Sequence, residues 1–199
     1  MNNRTAATAA ITLTALLLLA GCTGGTTSHE GMSGMDHGSE SSAPPAASGA
    51  TDADVMFASM MIPRHAQAIE MSDTLLAKDG IDERVAALAQ EIKAAQQPEI
   101  DKMQGWLDAW GAEASDGHAM HHGDGMMSAD DMAMLENATG SEAEKLFLSQ
   151  MITHHRGAVD MAQAEIEDGS DTAAVSLARS IVEAQMAEIA EMEQLRGKL

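Results

Sequence analysis

Met61 and His65 stand four residues apart, and Met151 and His155 repeat the spacing. On an α-helix that separation stacks a thioether and an imidazole on one face, one turn apart. A thioether with an imidazole suits Cu(I); an imidazole with a carboxylate suits Cu(II), zinc or iron. Two further tracts hold the same residue types where no apolar period runs. His29, Met32, Met35 and His37 fall within nine residues, and His118, Met120, His121, His122, Met126 and Met127 within ten. Neither tract has a core to build, so packing does not explain its methionines. Flexible Met/His stretches with acidic residues between them have the chemistry of arms that scavenge copper or silver. Compositional drift is the plain alternative.

The helical Met/His pairs also have a plainer reading. The chain contains 17 Met but only two Phe, two Trp and no Tyr, so flexible Met must fill much of any core. What distinguishes the two cases is the set of elements that hold the pairs. Phe57 to His65 recurs as Phe147 to His155 at an offset of 90 residues, and the match continues through Ala68/Ala158, Glu70/Asp160 and Met71/Met161. At an offset of 89, Leu88, Ile92, Gln96, Glu99, Ile100 and Met103 match Leu177, Ile181, Gln185, Glu188, Ile189 and Met192. The chain therefore carries one helix-pair unit twice, over 51–111 and 141–199, joined by a linker at 112–140.

The apolar period predicts helices over about Asp52 to Lys78, Asp82 to Trp110, Ser141 to Asp168 and Thr172 to Arg196, with Gly80, Gly111 and Gly169 as stops. Ser141 with Glu144 reads as a capping box, and Ser128 with Asp131 as the cap of a short extra helix over Ala129 to Asn137. Pro63 and Pro98 fall inside helices and each removes a backbone hydrogen bond. Strand signals are absent. The expectation is an all-α fold, an antiparallel four-helix bundle.

Drawn at ~100° per residue, the buried arcs contain polar residues: His65, Gln96 and Glu99 in the first unit, His155, Gln185 and Glu188 in the second. Arg64 and His154 lie beside them. Unpaired burial of such groups costs several kcal/mol. They must pair, as Glu99 with Arg64 or His65 and Glu188 with His154 or His155, or they must bind something.

The first 21 residues read as a lipoprotein signal peptide: Arg4 in the n-region, an apolar stretch over Ala9 to Ala20 too short to span a bilayer comfortably, and Leu19-Ala20-Gly21-Cys22 as a lipobox. Cys22, the only cysteine, is the expected lipidation site, which leaves no thiol for a disulfide. Residues 22–50 read as a flexible tether that carries the first Met/His tract. Loss of the signal removes Arg4 from 11 basic side chains, so 10 remain against 31 acidic ones, a net of −21. That balance argues against nucleic acid as a partner and suits a cation-attracting protein outside the cytoplasm.

The blocks Met61-Ile62-Pro63-Arg64-His65-Ala66-Gln67-Ala68-Ile69-Glu70-Met71 and Met151-Ile152-Thr153-His154-His155-Arg156-Gly157-Ala158-Val159-Asp160-Met161 resemble the signature of the domain-of-unknown-function 305 family. Gln96-x-x-Glu99-Ile100-x-x-Met103 and its copy from Gln185 resemble that family's second element. The resemblance implies a ferritin-like, usually exported four-helix bundle, some members of which bind copper in copper tolerance. It also implies a His-His pair at the motif centre. His154-His155 keeps that pair, while Arg64 replaces its first member in the other unit and, being permanently charged, cannot ligate a metal.

These readings converge on a membrane-anchored copper protein, with Cu(I) favoured, that buffers copper or passes it to another copper protein. Its ligands would be His154, His155, Met151 and Met161, then His65 and Met61, with the arms as low-affinity collectors. One rival is a structural or partner-binding lipoprotein without metal. The other is a di-metal oxidase, disfavoured because no Glu-x-x-His lies on the buried arcs and Gln stands in place of a carboxylate at Gln96 and Gln185.

Overall fold

A computed structural model describes residues 49–113 and 125–199. Cys22, the first Met/His tract and, from the second, His118, Met120, His121 and His122 lie outside the described residues. All that is described belongs to one compact unit, Ala43–Leu199. Its elements are α1 (Asp52–Leu76), α2 (Glu83–Trp110), α3 (Ala129–Asn137), α4 (Gly140–Asp168) and α5 (Thr172–Arg196), with no strand among the described residues. No described helix is long and apolar enough to cross a membrane.

α1 pairs with α2 and α4 with α5, and the two hairpins join mainly through α1 and α4. The core has two apolar halves. One holds Phe57, Met61, Ile100, Met103, Ala158, Ala162, Leu177 and Ile181. The other holds Ala68, Met71, Leu88, Ile92, Phe147, Met151, Ile189 and Met192. α1 and α5 run from the first half to the second; α2 and α4 run the opposite way. The bundle is thus antiparallel, and the duplicated units are exchanged end for end by a pseudo-two-fold axis crossing its middle.

Capping accounts for most of the boundaries. Thr51 with Asp54 and Ser128 with Asp131 form capping boxes on α1 and α3. Gly111 closes α2 in the left-handed conformation at φ 69°. α1 ends at Leu76, two residues before the Lys78 expected from periodicity, in a turn bonding Lys78 N to Leu75 O. Both α1 and α2 continue through their prolines.

The expected Ser141/Glu144 box does not form. The N-cap of α4 is Thr139, with no side-chain cap, and Glu144 is buried. Its Oε1 accepts a 2.7 Å bond from Asp82 N at the start of α2. Asp54 is the copy of Glu144 at the 90-residue offset and does the same at the other end. Its Oδ1 accepts from Ser170 N at 3.0 Å and Asp171 N at 2.9 Å, ahead of α5. Each unit therefore ties its first helix to the start of the other unit's second helix through a buried carboxylate.

Beside Asp54 lies Glu165, only 2% exposed, where the other unit has Leu75. Glu165 has no hydrogen-bond partner besides the Asp54 carboxylate itself. Burial, with the neighbouring Asp54 carboxylate, pushes its carboxyl up to about 8 from an ordinary 4.5. The folded chain thus holds a proton that the unfolded chain releases above its ordinary carboxyl pKa. The associated stability is complete in acid and is lost as pH rises through about 8. The melting temperature should therefore fall as pH rises from about 4.5 toward about 8. Glu165→Gln, which keeps the shape without the charge, should flatten that slope in a thermal scan. An unchanged slope would refute the assignment.

Candidate functional site

Along every long helix, the polar residues of the arcs fall between the two apolar halves. They form one layer at the middle of the bundle, where the pseudo-two-fold passes. Arg64, His65 and His155 are fully buried; His154 is 1% exposed, and Gln96 and Gln185 are 3% exposed each.

The two copies pair alike. His65 Nε2 lies 2.7 Å from Glu99 Oε2, and His155 Nε2 lies 2.7 Å from Glu188 Oε2. Of the pairings open to the sequence, each Glu takes the second position of the motif. Both glutamates are half-buried, with side chains 20% and 18% exposed, so they reach the layer from its edge. Burial, only partly offset by Glu99, lowers the basicity of His65, and His155 and Arg64 lower it further. A neutral ring that donates Nε2–H to a carboxylate leaves Nδ1 as a lone pair. Metal-binding histidines characteristically have one nitrogen held by a carboxylate and the other free to ligate.

That second nitrogen has no partner. His65 Nδ1, His155 Nδ1 and both nitrogens of His154 are buried without a hydrogen bond, as are both amide atoms of Gln96 and Gln185 Oε1. Orphans of this kind are few in native proteins and cost about 1–3 kcal/mol each. Here seven such atoms gather in one layer. Burial holds the His154 ring far below ordinary histidine basicity, and His155, Arg64 and His65 add to the effect. Its ring centre lies 6.2 Å from that of His155.

Arg64 occupies the position of His154 in the other unit and fills its side of the layer. Nη1 donates to the His154 carbonyl at 3.0 Å, and Nε donates to Met161 Sδ at 3.2 Å. Met61 and Met151 are fully buried, one turn from their histidines, each in a different apolar half. Met161 departs from the expected inward site: it is half-buried and borders a surface groove. Among the described residues no three His, Cys, Asp or Glu side chains stand together as a metal site. The described layer thus offers imidazole donors, with the thioethers of Met61 and Met151 one helical turn away in the apolar halves, and both donor types suit a soft ion.

The end of the second Met/His tract is held in place. Met127 N donates to Gln67 Oε1 and Gln67 Nε2 donates to Met127 O, both at 2.8 Å. Gly125, at φ 82°, passes so close to α4 that a Cβ would stand 2.6 Å from the Thr153 carbonyl oxygen. Met126 lines a cleft with Asp131 and Gln150. The tract therefore rejoins the fold above the turn of α4 that carries His154. Sequence periodicity did not reveal this anchor, because Gln67 reads as an ordinary solvated residue.

The fold and the layer define a class: a duplicated helical-hairpin bundle with buried, carboxylate-held histidines on its axis. The chain matches the family described as a domain of unknown function, DUF305, over residues 54–196, and it belongs to that family. A DUF305 fragment from Deinococcus radiodurans is similar at 32% identity, with 75% of this chain and 99% of that one covered and a TM-score of 0.70. A DUF305 protein from Streptomyces coelicolor, designated as secreted, shares 37% identity over 73% of this chain and 91% of its own, with a TM-score of 0.67. CopM in its Cu(II)-bound form shares 30% identity over 73% of this chain and 96% of its own, with a TM-score of 0.64. CopM has also been solved in Cu(I)- and Ag-bound forms. No curated protein matches.

Proposed function

We propose that this chain is an extracytoplasmic, lipid-anchored copper protein that buffers Cu(I) or hands it on, and that it binds metal without turning over a substrate. The observation that carries the reading is the set of buried imidazole nitrogens without partners in one layer, with thioethers a helical turn away on the same helices. Relatives support it: CopM is a copper- and silver-bound protein of the same fold. His154 and His155 are the central ligands, with His65 opposite them and Met151 and Met61 as the nearest sulfurs along their helices. Glu99 and Glu188 orient the rings. The tracts at 29–37 and 118–127 would collect metal before it reaches the bundle. Gln96 and Gln185, where an oxidase centre would need carboxylates, support a role without turnover.

The symmetric His–Glu pairs also favour a second reading, a structural polar layer without metal. Titration with Cu(I) against a competing chelator separates the two. The protein from Thr23 onward is compared with a version lacking both tracts. Retention of high-affinity binding without the tracts supports a site in the bundle. Complete loss would leave the layer structural and the tracts as the only binders.

A further inference from the structure

The pseudo-two-fold creates two equivalent grooves between α1 and α4, one in each half of the bundle, and the chain treats them differently. In the half that begins α4, α3 lies against both α1 and α4. Its Leu135 is fully buried in the core there, and Gln150 Nε2 donates to Asp131 O at 2.9 Å. The residues of α4 on that side are Leu146 and Gln150.

In the other half no described element covers the groove. The copies of Leu146 and Gln150 are Met56 and Met60, and Met161 faces them from α4. These three thioethers line a cavity of about 230 Å³ with Phe57, Ala164 and Glu165. Met56 is 60% exposed, and among the described residues the other strongly exposed large hydrophobics, Met134 and Met186, are also methionines. Core filling explains Met61 and Met151, which are fully buried, but not Met56. A groove meant only to be greasy would keep the branched residue of the other copy. Exchange of Leu and Gln for two unbranched thioethers one turn apart adds sulfur donors.

We propose that Met56, Met60 and Met161 form a surface thioether site for a soft monovalent metal ion, Cu(I) or Ag(I). Two or three neutral sulfurs satisfy such an ion and exclude harder cations. Met56 and Met60 are the principal donors. Met161 uses one lone pair to accept from Arg64 Nε and retains the second for the groove. The same side chain therefore touches both the groove and the buried layer. This inference rests on the soft-metal reading above, but its ligands are separate from the imidazoles.

The test is a titration of the full chain, labelled with 13C at the methionine methyls, with Ag(I) as a redox-inert probe. The Met56, Met60 and Met161 methyl signals should shift. In Met56→Leu/Met60→Leu the Met161 shift should be lost, while the shifts of Met61 and Met151 persist. In His154→Ala/His155→Ala the Met56 and Met60 shifts should remain. If Met56 and Met60 stay unmoved while other methionines or histidines respond, the groove site is wrong and the copper reading survives. The groove site is also wrong if Met161 shifts equally in the double Leu variant. If no methionine or histidine responds, both readings fail.

Discussion

Replacing His154 and His155 together with Ala should weaken Cu(I) binding by the bundle more than about 100-fold. Loss of an outer-shell partner alone typically costs about 10–100-fold, and removal of the ligands should cost more. The fold should tolerate the change. Arg64 reaches residue 154 through the backbone carbonyl, which Ala keeps. Glu188, released from His155, is 18% exposed and can turn to water. The double variant also removes three of the layer's unpartnered nitrogens: both of His154 and Nδ1 of His155. Chelator competition would measure the affinity and circular dichroism the fold. Unchanged affinity in a folded protein would refute the imidazole site. Glu188→Ala is the graded control, since it leaves the ring in place but unheld and should weaken binding roughly 10–100-fold.

Asp54→Ala should destabilise the fold strongly, since it leaves the N–H groups of Thr51, Ser170 and Asp171 without their acceptor, at about 1–3 kcal/mol for each that stays unsatisfied. The carboxylate accepts from Thr51 N at 2.6 Å, Thr51 Oγ1 at 2.7 Å, Ser170 N at 3.0 Å and Asp171 N at 2.9 Å. Burial alone would raise its pKa, but these hydrogen bonds outweigh burial and hold it at about 2. Its contribution is therefore complete above the ordinary Asp range and disappears as pH falls toward 2. Glu144→Ala removes a single bond, to Asp82 N, and should cost less, about 1–3 kcal/mol. Urea unfolding of both variants gives the comparison. Equal losses would mean that the capping of α1 and α5 through Asp54 adds nothing.

Periodicity and repetition revealed the helices and the two-unit plan because a repeat copies every face of its helices. The same arcs placed His65, His155, Gln96 and Gln185 inward. What they could not supply was the partner of an inward group, which depends on how neighbouring helices are aligned along the bundle. Glu144 was therefore read as a local cap although its partner lies on α2. The signal was present: extending the match three residues upstream of Phe57 and Phe147 pairs Asp54 with Glu144, two acids on otherwise apolar faces. Glu165 was hidden for the opposite reason, since its copy is Leu75 and repetition points to nothing polar. The surface methionines were equally hard to see, because Met56 and Met60 read as ordinary positions of an apolar helix. Only the groove, which no described element covers, sets them apart.

The bond from Arg64 to the His154 carbonyl joins a residue to its own counterpart, 90 positions along the chain. In a dimer of two identical hairpins, such a position on the two-fold axis must face an identical residue. Two guanidinium groups would then meet in a buried layer, at a prohibitive electrostatic cost. A covalently joined tandem is free of that constraint, because each half can change alone. The joined chain can therefore keep an arginine on one side of its axis and an imidazole on the other, giving the bundle a direction that no homodimer of its halves could have.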